Sequence, residues 1–217
     1  MKILYVITGA EFGGAPLHVL QLAEYMLKQG HEVGLVTAPE PRMMQKAKAL
    51  GVKIFPNPHF VRPVKLWKDL CALWPTFKAI KAFNPDFVHA HSTKAGYAAR
   101  FACAVLRKPV IFTAHGWAFT EGRSVLKRKF LSWAERLAAK VTKKVICVSE
   151  HDRELALSWK VAKPEQLTVV HNGIDPQPFL EANGASIRRD LGLEMVPVLA
   201  FVGRLAPKKT PLRCLRR

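Results

Sequence analysis

Gly13 and Gly14, followed two residues on by Pro16, have the composition of a loop that turns from a strand into a helix and leaves the first helical N–H groups bare. Such a helix start attracts anions, and glycine removes the side chains that would hold a phosphate away. A dinucleotide loop of the G-x-G-x-x-G type needs glycine where Glu11 stands. It also needs an acid at the end of the second strand, and 32–37 runs instead into Ala38-Pro39. The expectation is a phosphate site other than a standard NAD site. The plainer alternative is that the pair only lets a tight turn form.

Histidines supply the other candidate chemistry. In Val88-His89-Ala90-His91-Ser92 the spacing of two puts both rings on one face of a strand. A metal would want a third ligand of matching geometry, and no Cys, Asp or Glu lies nearby in sequence, so no metal is expected. His89 reads as structural and His91, nearer the strand end, as ligand-facing. The run 109–117 repeats the design, delivering His115, Gly116 and Trp117 at the end of an apolar strand, where rigid backbone suits a side chain that handles protons or positions a substrate.

The elements that must hold these residues alternate strand and helix. Strands are expected near 3–8, 32–37, 52–55, 85–93, 109–114, 145–148, 167–170 and 197–205, and helices near 16–29, 42–50, 64–83, 94–106, 123–144, 149–158 and 186–191. The uninterrupted apolar strands predict an α/β fold with a parallel, doubly wound, Rossmann-like sheet. Helix 16–29 should bury Leu17, Leu20, Ala23, Tyr25 and Leu27, and helix 123–144 should bury Leu126, Phe130, Trp133, Leu137 and Val141, leaving its charges solvated. In 64–83, Leu66, Trp67, Leu70, Leu73, Trp74, Phe77 and Ile80 share a face, with a kink or break expected at Pro75. That segment reads first as a helix packed on the sheet. Its lysines and tryptophans are also those of a helix lying on an anionic membrane.

Composition sets outer bounds. A chain of 217 residues that is 49% hydrophobic can bury one good core and begin a second unit. Lys+Arg 34 against Asp+Glu 16 gives a net charge of +18, a field that favours phosphate-rich partners. No zinc finger, RNA-recognition aromatic motif or basic arm points to nucleic acid. Cys71, Cys103, Cys147 and Cys214 lack C-x-x-C spacing, and the first three fall in apolar segments, as suits a reducing cytoplasm. The opening apolar run meets Glu11 too soon for a secretory leader, and no run has membrane-spanning length.

Six motifs in order carry a resemblance: Phe12-Gly13-Gly14-Ala15, Val88-His89-Ala90-His91-Ser92, Thr113-Ala114-His115-Gly116, Val148-Ser149-Glu150, Val170-His171-Asn172-Gly173-Ile174-Asp175 and Val202-Gly203-Arg204-Leu205. Together they resemble the amino-terminal, acceptor-side half of a glycosyltransferase of family 4, the group 1 enzymes of GT-B fold. The resemblance implies retaining transfer of a sugar from a UDP- or GDP-type nucleotide sugar, as co-substrate and with no other cofactor, to a saccharide or polyprenyl-linked acceptor. It puts Gly13, Gly14, Arg204 and Lys209 at the donor phosphates, His115 at the reacting sugar, His91, Lys94 and Trp117 on the acceptor side, and Asn172, Gly173 and Asp175 between domains. The cysteines point to a cytoplasmic location, and the 64–83 helix gives the hypothesis of peripheral attachment to the inner face of the membrane. The expected division is 1–195 for the amino-terminal domain and 196–217 for the first strand of a second domain. Thr210 stands where the family has glycine, and the basic tail 211–217 departs from the pattern. From this the chain is expected to be a fragment or truncated product without turnover of its own, its uncovered last strand favouring self-association. A non-catalytic module binding acceptor or anionic lipid is the alternative.

Overall fold

The structure, a computed structural model, describes residues 1–120, 122–193 and 196–199. It divides into two compact units, Met1–Asn172 and Gly173–Arg217, so the expected boundary at 195 falls inside the second unit. Arg204, Lys209 and Cys214, and most of the strand expected at 197–205, lie outside the described residues.

The first unit is built on a parallel sheet of seven strands: β1 (Lys2–Ile7), β2 (Glu32–Thr37), β3 (Lys53–Pro56), β4 (Phe87–His91), β5 (Val110–Ala114), β6 (Lys144–Cys147) and β7 (Leu167–Val169). Their order is β3-β2-β1-β4-β5-β6-β7, which places the first strand inside the sheet and reverses direction beside it. This is the doubly wound, Rossmann-like topology, in which ligands bind beyond the strands' carboxyl ends at the reversal. β1 shows why the residues form such a strand: Ile3, Tyr5 and Ile7 are buried on one face and Leu4 and Val6 on the other, so apolar residues are needed at every position.

Helices cover both faces. α1 (Gly14–Lys28) packs over β1 and β2, and α2 (Pro41–Ala49) packs beside it over β3, burying Val19, Leu20, Ala23, Met43 and Ala47. α1 begins at Gly14, earlier than the 16–29 expected, and of the residues expected inside, Leu20 and Ala23 are buried and Leu27 packs against the cluster. Leu17 and Tyr25 are exposed because Pro16, Val19, Leu20 and Ala23 form the inward face. On the other side α3 (Leu66–Cys71) leads into α4 (Leu73–Phe83), which packs on α5 (Thr93–Leu106), and α5 packs on α6 (Val125–Ala139). Gly96 lets α5 approach β5 closely, since a Cβ there would meet Phe112 Cε2 at 2.6 Å. α7 (Glu150–Ser158) is capped as expected by Ser149, whose Oγ accepts from the Asp152 N–H at 3.1 Å. Among the described residues the second unit has two short helices, α8 (Gln177–Leu180) and α9 (Ala185–Asp190).

Two helical expectations are corrected. The 64–83 segment breaks at Ala72, between α3 and α4, and Pro75 sits in the first turn of α4, where a missing N–H costs nothing. Leu73 and Phe77 pack against the core and Ile80 is buried, but Leu66, Trp67, Leu70 and Trp74 are exposed. α6 is the larger reversal. Leu126, Phe130, Trp133, Leu137 and Val141 all face solvent, and the buried face is Ser132, Glu135, Ala138 and Ala139. The reason is a buried ion pair between α5 and α6: Arg100 donates to Glu135 Oε2 at 2.8 Å, with both side chains 1% exposed. The guanidinium also lies 4.2 Å over the Phe112 ring. Turning the apolar stripe inward would strand that charge.

Candidate active site at the strand tips

The tips of β1, β4 and β5 meet because the register pairs Ile7 with His91 and His91 with Thr113. Just beyond them, Ser92 Oγ accepts from the Thr8 backbone N–H at 3.2 Å and shares a hydrogen bond with Thr8 Oγ1 at 2.8 Å. Ser92 has φ 63, a left-handed angle that is strained for serine, and it directly precedes α5. Gly116, directly after His115, has φ 109 and there needs glycine.

Gly13 caps α1, and its carbonyl accepts from the Leu17 N–H at 3.0 Å. A Cβ at Gly13 or Gly14 would meet nothing within 4 Å, so the helix start opens onto free space. The sterically required glycine of this loop is Gly9, with φ +54 and a hypothetical Cβ only 2.2 Å from Thr37 Oγ1. Glu11, whose carboxylate would repel a phosphate, is paired with Arg62. A cavity lined by Ala10, Ala38, Pro39, Phe60 and Arg62 opens beside this loop.

One turn into α1, His18 reaches the histidines. Its ring centroid is 6.0 Å from that of His91 and 5.3 Å from that of His115. His91 Nδ1 and His115 Nε2 share a hydrogen bond at 3.0 Å, and His89 Nε2 shares one with Thr113 Oγ1 at 2.7 Å. Burial is the main reason these rings stay neutral: it takes His89 from 6.5 down to about 3 and His115 to about 4, and it holds His91 well below and His18 below the ordinary value. Mutual repulsion among the imidazoles adds to the effect on His89, His91 and His115. At neutral pH the cluster therefore acts through hydrogen bonds, not charge.

The fold supplies the third imidazole that sequence neighbourhood lacked. The ligand nitrogens of His18, His91 and His115 lie within 4.8 Å of one another. A tetrahedral zinc bound at about 2.0–2.1 Å draws its nitrogens to roughly 3.4 Å apart. To hold an ion the rings would have to close in and give up the His91–His115 hydrogen bond.

His89 has the structural partner expected of it. His91 has no exposed surface, against the expectation of a ligand-facing ring, and among the described residues its Nε2 has no partner. Lys94 Nζ is held by Asp69 Oδ1 at 2.7 Å and by the carbonyls of Val61 and Pro63, so its ammonium pins the loop before α3. Trp117 is enclosed by Phe112 and Phe119 and donates from Nε1 to the Asp152 carbonyl at 2.8 Å, which leaves an acceptor no open face of the indole. The division between units falls between Asn172 and Gly173, and Asp175 Oδ1 accepts from the Gln177 N–H at 3.1 Å. His18, Thr8 and Ser92 are the site residues that sequence reasoning missed. A histidine one turn into a helix that starts at a glycine pair was the available signal for the first of them.

The family model for Glycosyltransferase Family 4 matches residues 12–178, which include the open glycine turn, the histidine cluster and the Asn172–Gly173 division. The chain belongs to glycosyltransferase family 4. Among its relatives are a UDP-Gal:alpha-D-GlcNAc-diphosphoundecaprenol alpha-1,3-galactosyltransferase of Escherichia coli, 34% identical over 75% of this chain and 43% of that protein, and a D-inositol 3-phosphate glycosyltransferase of Mycobacterium sp. (strain KMS), 31% identical over 94% of this chain and 50% of that one. This family 4 chain thus spans about half the length of the curated relatives it matches. Among solved structures, Anabaena HepE in complex with UDP and glucose superposes with a TM-score of 0.69 at 18% identity, covering 89% of this chain and 51% of that one. Sucrose-phosphate synthase of Thermosynechococcus elongatus does so at 0.61 and 17%, covering 88% and 52%. The fold is the Rossmann-like half of a GT-B glycosyltransferase.

Proposed function

We propose that this chain is the acceptor-side half of a retaining glycosyltransferase that moves a sugar from a UDP- or GDP-type nucleotide sugar to a saccharide or polyprenyl-linked acceptor at the inner face of an anionic membrane. The observation that carries the reading is the contact of His18, from the helix that opens at Gly14, with His91 and His115 at the strand tips. It joins an anion-attracting helix start to neutral hydrogen-bonding side chains on one wall. Gly13 and Gly14 would admit the donor diphosphate, with Arg204 and Lys209 neutralising the leaving group as the glycosidic bond breaks. His115 would hydrogen-bond the reacting sugar, and His91 would position that ring from behind. The acceptor side passes from His91, Lys94 and Trp117 to the cavity beside Arg62, because His91 has no exposed surface and Lys94 and Trp117 are engaged elsewhere. Asn172, Gly173 and Asp175 would form the passage to the donor half. The chemistry needs no metal, since neutral imidazoles and cations do the work.

The stretch of 217 residues on its own is proposed to bind acceptor without turning it over. The test is transfer of radiolabelled sugar, assayed with the chain alone and with a full-length protein that contains it, both in EDTA. Transfer by the full-length protein only, undiminished by EDTA, is expected. Transfer by the chain alone would overturn the half-enzyme reading. Loss of transfer in EDTA would overturn the metal-free one. Acceptor binding by calorimetry with no transfer in either form would favour the non-catalytic binding module.

A further inference from the structure

The outward apolar stripe of α6 has no part in the site described above. Leu126, Phe130, Trp133 and Leu137 are 80%, 63%, 52% and 38% exposed. At about 100° per residue these positions fall within about 60° of the helix circumference. They form one line on the side opposite Ser132, Glu135 and Ala139, which face the core. Exposed Lys127 lies on one flank, exposed Lys129 and Lys140 on the other, and among the described residues no ion pair engages them. The one acid of α6, Glu135, is buried against Arg100. On neighbouring α5, Phe101 and Val105 are exposed as well.

The Arg100–Glu135 bond holds the opposite face of α6 against α5, because turning the helix over would leave a charge buried without its partner. An exposed aromatic and aliphatic line between lysines is the pattern of a helix that lies in a lipid headgroup layer.

We infer that α6 is a membrane-docking helix that sets Leu126, Phe130, Trp133 and Leu137 into the surface of an anionic bilayer, with Lys127, Lys129 and Lys140 on the lipid headgroups. Charge selects this occupant. A second copy would bring the same lysines and another +18 against the first, whereas acidic lipid complements both. The inference deepens the membrane element of the proposed function and moves it from the 64–83 segment to α6. Docking is measured with no donor or acceptor present, so its failure leaves the sugar-transfer reading standing.

The experiment is flotation of the 217-residue chain with vesicles of phosphatidylcholine alone or with 30% phosphatidylglycerol. It compares the wild type with Leu126→Ser/Phe130→Ser/Trp133→Ser and with Lys127→Glu/Lys129→Glu/Lys140→Glu, each first checked for an unchanged melting curve. Expected is binding to the acidic vesicles that drops at least tenfold in both triple variants and weakens in salt. A matched triple, Leu66→Ser/Trp67→Ser/Trp74→Ser, should retain most of the binding. Equal binding by wild type and the α6 apolar variant overturns the inference. So does concentration-dependent dimerisation that this variant abolishes in the absence of vesicle binding. If the α6 variants melt early, quenching of tryptophan fluorescence by brominated lipid in the wild type, lost in Trp133→Phe, decides in their place; no loss overturns the inference.

Discussion

At the scale of single residues, His115 and His91 divide a task. In a full-length protein, His115→Ala should lower kcat by about 10²–10⁴-fold, the range for a positioned proton-handling group, with the melting temperature little changed. His91→Ala, acting through His115, should lower kcat less and shift its pH profile; an unchanged profile would remove its positioning role. The histidines also set acid stability. His89 and His115 titrate at about 3 and about 4 when folded against 6.5 when not, so the unfolded chain takes up protons first as pH falls. The stability they contribute is complete above about pH 6.5 and drains away towards the folded values, at up to about 1.4 kcal/mol per pH unit for each imidazole. Tyr5, His18 and His91 face the same space, so the effect belongs to the cluster. Urea midpoints at pH 7.5, 6 and 5 should fall in that order, and His89→Gln should flatten the slope. The glycine turn and the histidine strand tips were legible from residue type and position. The His18 contact, the Thr8–Ser92 hydrogen bonds and the burial of Trp117 were not, because each depends on segments far apart in sequence coming together.

At the scale of elements, the helix layer turns on one ion pair. Glu135→Ala or Arg100→Ala should cost about 3–5 kcal/mol, because the surviving charge is left buried and alone, while Arg100→Met/Glu135→Leu should recover most of that loss. Chemical denaturation of the three variants checks this, and near-additive single effects would refute the coupling. The same pair explains where sequence reading of α6 stopped. Periodicity separates a helix into faces but does not say which is inside. The apolar stripe was the natural choice for the core, yet an Arg and a Glu placed 35 residues apart had claimed the inner side. α1 shows a milder form of the same limit: of the five residues expected inside, Leu20 and Ala23 are buried and Leu27 packs against the core, while Leu17 and Tyr25 face solvent. Strands suffered less, since apolar residues on both faces leave no inside to choose. β2 was read to the residue, and β4 and β5 lie within the runs assigned to them.

At the scale of the whole molecule, Met1–Asn172 contains all seven strands and both apolar clusters, so a protein ending at Asn172 should melt cooperatively within a few degrees of the full chain. A broad, non-cooperative transition would show that the first unit depends on the second. The sheet order carries a consequence for biosynthesis. β1 ends at Ile7, but its partner on one side is β4, which starts at Phe87. At about 5–20 residues per second a translating ribosome needs roughly 4–16 s to make the intervening chain. During that interval this strand, apolar on both faces, has one bare edge. Cellular holding factors are expected to bind there first, and yield in the cell should respond to translation speed across the first ninety codons more than to changes later in the message.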